Sequence, residues 1–182
     1  MRAKTETDSD DPRVVLETAY GKYGDDLYRY ALMILTDHSA AEDAVQTAFM
    51  KTLKLGKRML QIASLSDYLR IAVRNTCYAM IKKQRRLDNE LKTKRVRPIL
   101  EKLDEGSNED ERASIEQALC TLPVEQREVL HMKIYEGKTF EEIARMVGIP
   151  ADTAASRYRY ALGKLRQILG SEYQREDNRH ES

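Results

Sequence analysis

The chain has 182 residues, of which 41% are hydrophobic and 34% are charged, and its formal net charge is +1. A chain of this length and apolar content can form one ordinary buried core or two small ones. The protein is therefore not a disordered tail. The charges are unevenly distributed: ten Lys or Arg and two acids lie between positions 70 and 97, whereas seven acids and two bases lie between 101 and 117. This pattern predicts a polyanion-binding surface followed by an acidic, solvated connector.

The sequence indicates neither a membrane segment nor a cofactor. No apolar run approaches the roughly 20 residues that span a bilayer, and the polar start MRAKTETDSDDP lacks the apolar stretch of a signal peptide, so we expect a cytoplasmic protein. Cys77 and Cys120 lie in apolar helical patterns without CxxC spacing and are interpreted as reduced core thiols. The three histidines are scattered, and we predict no metal site.

Every periodic stretch has a helical period, so the expected fold class is all-α, with two small helical domains joined by a flexible linker. A first helix follows Pro12, and the spacing of Ser39 to Glu42 predicts a capping box for the next helix. Gly56 begins a predicted irregular loop that runs through Ser66 and precedes a long helix. The predicted inward residues of that long helix are Leu65, Tyr68, Leu69, Ala72, Val73, Thr76, Cys77 and Met80.

The middle of the chain is predicted to be a linker. From Leu87 to about Glu111 apolar residues are sparse, Pro98 interrupts any helix, and DEGSNEDE is acidic. We therefore expect one domain over 12–86, a linker over 87–111 and a second domain over 112–170. In the second domain, Pro123 heads a predicted helix that Gly137 ends.

Two helical patterns near the C-terminal end predict a helix-turn-helix, because a short capped helix meets a second helix at a glycine turn. The stretch TFEE, from Thr139 to Glu142, has the spacing of a capping box, and Gly148 is placed to end that helix in the left-handed conformation. The second helix is predicted to begin near Asp152 or Thr153, either of which can cap it.

The outer face of that second helix is rich in hydrogen-bonding groups, which suits a recognition helix whose first turns enter the major groove of DNA. Ala154, Tyr158 and Ala161 share the inner side, at 100° per residue. A merely solvated charged face is the alternative, and the complete helix-turn-helix unit favours DNA binding. The candidate reading residues are Thr153, Ala155, Ser156, Arg157, Arg159 and Tyr160.

The two ends of the chain resemble two regions of one protein family. Residues 122–166, LPVEQREVLHMKIYEGKTFEEIARMVGIPADTAASRYRYALGKLR, resemble region 4 of bacterial RNA polymerase sigma factors, which reads the minus-35 promoter element. LYRYALMILTDHSAAEDAVQTAFMKTL and DYLRIAVRNTCYAMIKKQRR resemble region 2, which binds the polymerase and opens the minus-10 element. Both segments in this order resemble the compact extracytoplasmic-function (ECF) group. The resemblance implies a non-enzymatic initiation factor whose partners are core RNA polymerase and promoter DNA.

The resemblance also implies a polymerase-binding site. Glu42, Asp43 and Gln46 match the family's EDxVQ positions, which dock on a helical coiled coil of the largest polymerase subunit. The helical pattern independently places these residues, with Thr47 and Met50, away from the core stripe. Acids near the start of a helix also stabilise it through its dipole, and both roles are compatible.

A minus-10 site follows from the same resemblance. Arg74 and Asn75 match the family's RN in the helix that faces the minus-10 strand, and a basic end continues that helix as a phosphate track. The segment from 56 to 66 occupies the place of the family's flipped-base pocket. Tyr78 is either a stacking platform for a base or a half-buried surface tyrosine. The basic end consists of Lys82, Lys83, Arg85 and Arg86.

The sequence departs from the family where cations are usual on the second helix, with Tyr160 and Leu162 in place of arginines. Weak anchoring at the minus-35 element is therefore expected, with holoenzyme assembly supplying the remaining affinity. A dimeric helix-turn-helix regulator that binds a palindrome without polymerase is the main alternative. A helical enzyme is disfavoured, because no nucleophile-base pair or phosphate loop is visible. Many family members are held by an anti-sigma protein, and no residue here identifies one.

Overall fold

The computed structural model describes residues 11–91, 115 and 117–180, with side chains described for 11–87, 115 and 117–170. The chain divides into two compact units, Met1–Lys94 and Arg95–Ser182. All regular structure in the described ranges is helical, which confirms the predicted all-α class with two helical domains. Across those ranges, no helix is both long and apolar enough to cross a membrane.

The first unit contains α1 (Pro12–Leu35), α2 (His38–Leu53), a 3-10 helix (Gly56–Gln61) and α3 (Leu65–Leu91). Each of the three α-helices packs against the other two around one apolar core. Asp11 caps α1 by accepting from the Arg13 amide, and Pro12 occupies the first turn as expected. The core of this unit includes Leu27, Tyr30, Ala31, Ile34, Ala41, Ala44, Val45, Ala48, Leu69, Val73 and Cys77.

The start of α2 differs from the prediction, and the capping box at Ser39 to Glu42 was wrong. The N-cap is Asp37, whose carboxylate accepts from the backbone N–H of Ala40 at 2.8 Å. Aspartate caps a helix at least as well as serine, so the helix begins two residues earlier than the Ser39 pattern indicated. Because Glu42 is not drawn back to the N-cap, its side chain stays on the exposed surface.

The predicted irregular loop after Gly56 is instead mostly helical. Gly56 has a φ of 55°, and a 3-10 helix follows in which Met59 is buried against α1 and α2. Ser64 then starts α3, because its hydroxyl accepts from the Asp67 amide at 3.3 Å. The loop expectation failed because buried contact with the helices orders this segment, and sequence periodicity does not report such contacts.

The sequence analysis assigned too many residues of α3 to its buried side. Leu69, Val73 and Cys77 are fully buried, whereas Tyr68 is 36% exposed, so its assignment to the core was wrong. Tyr68 lies 100° from Leu69 around the helix and faces away from the contacts with α1 and α2. The helix continues to Leu91, so 87–91 of the predicted linker are helical, and 92–111 lie outside the described residues.

The second unit contains a helical turn at 117–120, followed by α4 (Val124–Ile134), α5 (Phe140–Val147) and α6 (Ala151–His180). The capping box of α5 is confirmed: Glu142 N donates to Thr139 Oγ1 at 3.2 Å, and Thr139 N donates to Glu142 Oε2 at 2.7 Å. Gly148 ends α5 with a φ of 76°, also as predicted. These two features set the turn of the helix-turn-helix.

The helix α6 begins at Ala151, so the predicted side-chain cap at Asp152 or Thr153 was wrong. The carbonyl of Pro150 accepts from the amides of Thr153 and Ala154 at 3.0 and 3.1 Å. Proline has no N–H that needs a partner and its φ is fixed near the helical value, so the helix starts directly after it. Ala154 and Ala161 are fully buried against the rest of the unit, which lets α6 cross closely over α5.

Arg127 on α4 joins the preceding turn to the core of the second unit. Its Nη1 donates to the carbonyls of Leu119, Cys120 and Leu122 at 3.4, 3.4 and 3.1 Å. These carbonyls lie at the end of the helical turn, where backbone acceptors lack intrahelical donors. Lys164 on α6 donates to the carbonyl of Thr121 at 2.6 Å, so the same turn also holds α6.

Neither Cys77 nor Cys120 is part of a disulfide. Cys77 is buried in the first unit, and Cys120 is partly buried in the second.

Candidate functional site

The outward side of α2 carries the predicted polymerase-binding residues. Glu42, Asp43 and Gln46 are exposed, Thr47 is partly exposed, and Met50 is 52% exposed. The opposite side of the helix packs into the core through Ala41, Ala44, Val45 and Ala48. We call Glu42, Asp43, Gln46, Thr47 and Met50 the α2 face, which is acidic at its start and apolar at its end.

The first turn of α2 is held by a contact with α1. The hydroxyl of Tyr28 lies 2.6 Å from Nδ1 of His38 in a hydrogen bond, and the two rings are stacked. Burial, and secondly the carboxylate of Glu42, raise the pKa of Tyr28 above its usual value of 10.0, so this hydroxyl keeps its proton at neutral pH. The contact therefore fixes the end of α2 from which Glu42 and Asp43 project.

The outward side of α3 carries the predicted minus-10 residues. Asn75 is exposed, as are Lys82, Lys83, Arg85 and Arg86, and we call these five residues the basic face of α3. The guanidinium of Arg74 lies 4.6 Å from the centre of the Tyr78 ring, and both side chains are partly buried. Since Arg74 covers one face of that ring, the geometry favours the interpretation of Tyr78 as a half-buried surface residue.

The sequence analysis did not identify two exposed side chains on α3. Tyr68 was assigned to the core and Ile71 was not assigned, yet they are 36% and 45% exposed. With Asn75 they follow the spacing i, i+3 and i+7, which places all three on one side of the helix. This spacing is the sequence pattern from which the shared exposure of Tyr68 and Ile71 with Asn75 could have been predicted. The outward side of α3 therefore passes from apolar at its start, through Asn75, to basic.

The first turns of α6 carry the predicted minus-35 residues. Thr153, Ala155, Ser156 and Arg157 are partly exposed, Arg159 is exposed, and Tyr160 is 71% exposed. Arg159 Nη2 donates to Ser156 Oγ at 3.3 Å, which joins two of these side chains one turn apart. We call the six predicted residues the α6 face. The roles of these residues, like those of the α2 face and the basic face of α3, stay predictions.

An open groove of about 410 Å³ adjoins the α6 face. It was not foreseen from the sequence, because it forms between the start of α4 and the middle of α6. The groove holds two cations, two amides and one tyrosine ring, and none of its described lining residues is acidic. Those lining residues are Pro123, Gln126, Arg159, Tyr160, Gly163, Lys164 and Gln167.

The three faces and the groove offer charged, apolar and hydrogen-bonding side chains. Within the described ranges, no three His, Cys, Asp or Glu side chains are grouped so as to hold a metal ion. One face is acidic and apolar, the second is apolar and then basic, and the third is a short polar helix face beside a basic groove. Exposed side chains of these kinds occur in protein and nucleic-acid interfaces.

Family models match both units. The model for Sigma-70 region 2 matches residues 19–87, which contain α2 and most of α3. The model for Sigma-70, region 4 matches residues 118–167, which contain α4, α5 and the first half of α6. The two matched ranges together cover well over half of the chain and include all three faces.

Curated relatives and a solved structure agree with these matches. The ECF RNA polymerase sigma factor SigL of Mycobacterium tuberculosis is 29% identical over 167 residues, covering 85% of this chain and 89% of SigL. SigM of the same organism is 23% identical over 158 residues, covering 87% of this chain and 79% of SigM. The sigma factor RpoE of Bartonella quintana, solved in complex with the anti-sigma factor NepR, has a TM-score of 0.73 and 22% identity. That match covers 86% of this chain and 97% of RpoE.

Proposed function

Since the chain belongs to the sigma-70 family of RNA polymerase sigma factors, in its ECF group, we propose that its three faces divide the work of promoter recognition. In this proposal the α2 face binds core polymerase, the basic face of α3 holds the opened minus-10 strand, and the α6 face reads the minus-35 element. The observation that supports it is that all three faces consist of side chains that neither core uses. Sigma factors are non-enzymatic initiation factors. We accordingly assign this chain no reaction of its own and propose that it acts in the cytoplasm.

Polymerase binding is assigned to the α2 face because of its chemistry. Glu42 and Asp43 are exposed carboxylates that attract a basic partner and set its register, while Met50 offers apolar area at the other end of the face. The partner is a helical coiled coil of the largest polymerase subunit. The contact between Tyr28 and His38 pre-orders the acidic end, which lowers the cost of ordering it on binding.

Minus-10 binding is assigned to α3 because one side of this helix combines apolar, amide and basic groups. Opening DNA costs a few kcal/mol for each base that leaves the stack, and stacking on an aromatic ring returns about 1–3 kcal/mol per base. Tyr68 is the exposed ring for this purpose, and Asn75 lies two turns further along. Lys82, Lys83, Arg85 and Arg86 would then follow the phosphates, so this contact should weaken strongly with salt.

Minus-35 binding is assigned to the α6 face and the groove beside it. Ser156 and Arg157 lie in the first two turns, where a recognition helix contacts base edges. Arg159 and Lys164 line the groove and would face the sugar-phosphate backbone, which positions the helix without reading sequence. The small number of cations predicts weak binding of the isolated minus-35 element.

The proposal is tested by mixing the full-length chain with core polymerase and measuring co-migration and promoter-specific transcripts. We expect Asp43→Arg to abolish polymerase binding while the helix content stays unchanged, because it inverts an exposed charge. Asp25→Arg, which inverts an exposed aspartate on α1, is the matched control and should bind normally. Normal transcription by folded Asp43→Arg would contradict the assignment of the α2 face.

A second arm tests the α6 face. Replacing Ser156 or Arg157 by Ala should alter the use of minus-35 sequences without changing polymerase association. Transcript mapping after overexpression reports the promoter sequences and their polymerase dependence together. A folded chain that ignores polymerase and binds a palindrome as a dimer would restore the regulator alternative, which the family matches do not favour.

An inhibitory partner is a further part of the proposal. The RpoE structure contains a sigma factor in complex with an anti-sigma factor. We propose that a protein of that class also binds this chain. Purification of the tagged chain from its native cell tests this point. A small protein that co-purifies and blocks polymerase binding would support it, and recovery of polymerase alone would contradict it.

A further inference from the structure

Gly163 is a glycine inside α6 that the packing of the second unit does not require. The helix runs from Ala151 to His180, and Gly163 is exposed near its middle. Beyond its own helix backbone and its chain neighbours, a Cβ built on Gly163 would meet no described part of the chain within 4 Å. Glycine in a helix interior lowers stability relative to alanine. The helix therefore loses stability here, and no contact within the described chain explains why a side chain is absent.

The missing side chain lies in the wall of the groove beside the α6 face. Along α6 the groove is lined by residues 159, 160, 163, 164 and 167, a spacing that places them on one side of the helix. Gly163 is at the centre of this set. Glycine is the usual residue where a ligand approaches the backbone closely. The groove therefore admits an occupant to the helix backbone at Gly163, and any side chain at this position would hold that occupant away.

The two cations of the groove are held in place by the second unit. Lys164 Nζ donates to the carbonyl of Thr121 at 2.6 Å, and Arg159 Nη2 donates to Ser156 Oγ at 3.3 Å. A lysine ammonium has three N–H groups and a guanidinium has five, so both side chains can donate to an occupant as well. Their positions beside the groove are thus ordered before anything binds, which lowers the cost of binding.

Two glutamines add neutral donors to these cations. Gln126 at the start of α4 is partly exposed, and Gln167 on α6 is exposed. Each amide can donate two hydrogen bonds without adding charge. None of the described lining residues of the groove is acidic. The groove therefore fits an anionic chain whose oxygens accept hydrogen bonds.

We propose that Gly163 is a positioning residue for minus-35 DNA: it lets one sugar-phosphate strand enter the groove and contact α6 directly, while the two glutamine amides donate to its phosphates. The inference rests on the proposed function, because it takes the same minus-35 DNA as its occupant. Contacts to phosphates fix the register of a protein on the duplex. In this arrangement the close approach at Gly163 sets the depth at which Ser156 and Arg157 meet the base edges. Tyr160 stands where the family usually has an arginine, so shape and neutral donors replace a cation here.

Gly163→Ala should change stability and binding in opposite directions. The added methyl group should slow hydrogen exchange of the α6 amides about threefold, because alanine favours the helix. The same group should weaken promoter binding of the holoenzyme about threefold, and Gly163→Leu should weaken it about tenfold, because a contact made at short range is lost. Gly163→Leu should also reduce the slope of log affinity against log salt by about 1, the effect of one lost phosphate contact. A glycine that the fold itself needed would instead make Gly163→Ala less stable.

Each variant has a matched control. Gly170 is a second exposed glycine inside α6 with nothing described within 4 Å, and it lies outside the described lining of the groove. Gly170→Ala should therefore stabilise the helix and leave promoter affinity unchanged. Gln126→Glu keeps the side-chain shape and adds a carboxylate in the groove, at a helix start where an acid is stabilising, and it should weaken binding about tenfold. Gln117→Glu, at an exposed position outside the groove lining, is its control.

The experiment measures the affinity of holoenzyme, formed from core polymerase and the full-length chain, for a promoter duplex identified by transcript mapping. The duplex is used intact and with single neutral methylphosphonates in place of phosphates around the minus-35 element. Wild-type holoenzyme should lose affinity about tenfold at one or two of these positions. Gly163→Leu should lose no further affinity there, because its contact with those phosphates is already absent.

The outcomes separate this inference from the proposed function. If both Gly163 variants and Gln126→Glu bind the promoter as the wild type does while Arg157→Ala alters minus-35 use, the close approach is wrong and the α6 face stands. Equal losses for Gly163→Ala and Gly170→Ala would also overturn the inference. So would unchanged DNA affinity together with the loss of a co-purifying protein, since the groove would then hold a protein segment. If wild-type holoenzyme does not distinguish minus-35 sequences, the inference and the proposed function fall together. Where Gly163→Leu loses helix, Gly163→Ala and Gln126→Glu decide.

Discussion

The two units build their cores from different chemistry. In the first unit the described buried polar residues are Thr52 and Thr76, and each hydroxyl donates to a carbonyl of its own helix at 2.8 Å. In the second unit Arg127, Glu128 and His131 on α4 are all buried. The first unit therefore excludes charge from its interior, whereas the second uses charged side chains as parts of its core.

This difference follows from how much helix each unit can bury. Three long helices supply the first unit with enough apolar surface, and their outward sides carry exposed polar and charged side chains. The second unit has an α5 of eight residues, and α6 contributes both to the core and to the exposed α6 face. Small cores bury little apolar area, so hydrogen bonds to helix ends contribute more to their stability. Binding and stability should therefore be separable in the first unit and coupled in the second.

The largest expected effect is on the second unit. Arg127→Met should lower its stability by about 4 kcal/mol, because a buried cation is removed and three carbonyls lose their donor. Hydrogen exchange of α4 amides measures this unit separately from the first. Arg145→Met, at an exposed position on α5, is the control. A loss below about 1 kcal/mol would show that the charged core contributes little.

The first unit should respond to loss of apolar volume. Leu69→Ala should lower its stability by about 3 kcal/mol through the cavity left at a fully buried site. Ile71→Ala on the same helix, at a 45% exposed position, should change it by less than about 0.5 kcal/mol. Thermal unfolding followed by helix signal compares the two variants. Similar losses for both would contradict the placement of the α3 stripe.

Helix caps provide an intermediate test across both units. Thr139→Ala should cost the second unit about 1 kcal/mol, and Asp37→Ala should cost the first unit a similar amount. Ser39→Ala should be nearly neutral, because Asp37 rather than Ser39 caps α2. Denaturant titration of the three variants ranks them. A costly Ser39→Ala with a neutral Asp37→Ala would reverse the assignment of this cap.

The smallest expected effect concerns pH. The backbone N–H of Thr139 holds the pKa of Glu142 below its usual value of 4.5, with smaller contributions from the Thr139 side chain, Lys138 and Arg145. A lowered folded-state pKa adds stability above pH 4.5, and this contribution disappears as the pH falls through the lowered value. Glu142→Gln should remove this part of the acid sensitivity of the second unit. An unchanged pH profile between pH 3 and pH 6, measured by hydrogen exchange or unfolding, would contradict it.

The sequence by itself determined the helical class, the helix-turn-helix and the exposed α2 face. Helical periodicity, a capping box and a glycine turn are short-range features, because each acts within one or two turns of the chain. The same features identified the α6 face from Thr153 to Tyr160. The N-cap of α2 was assigned incorrectly from the sequence, because Asp37 rather than Ser39 caps this helix.

Only the tertiary structure decided which distant residues meet. Tyr20 lies on Phe49, and Lys164 reaches the carbonyl of Thr121, although each pair is far apart in the sequence. The groove beside α6 and the outward position of Tyr68 likewise depend on how the helices are rotated against one another. That rotation is set by the sum of many side-chain contacts across each core, and no local pattern in the sequence encodes this sum.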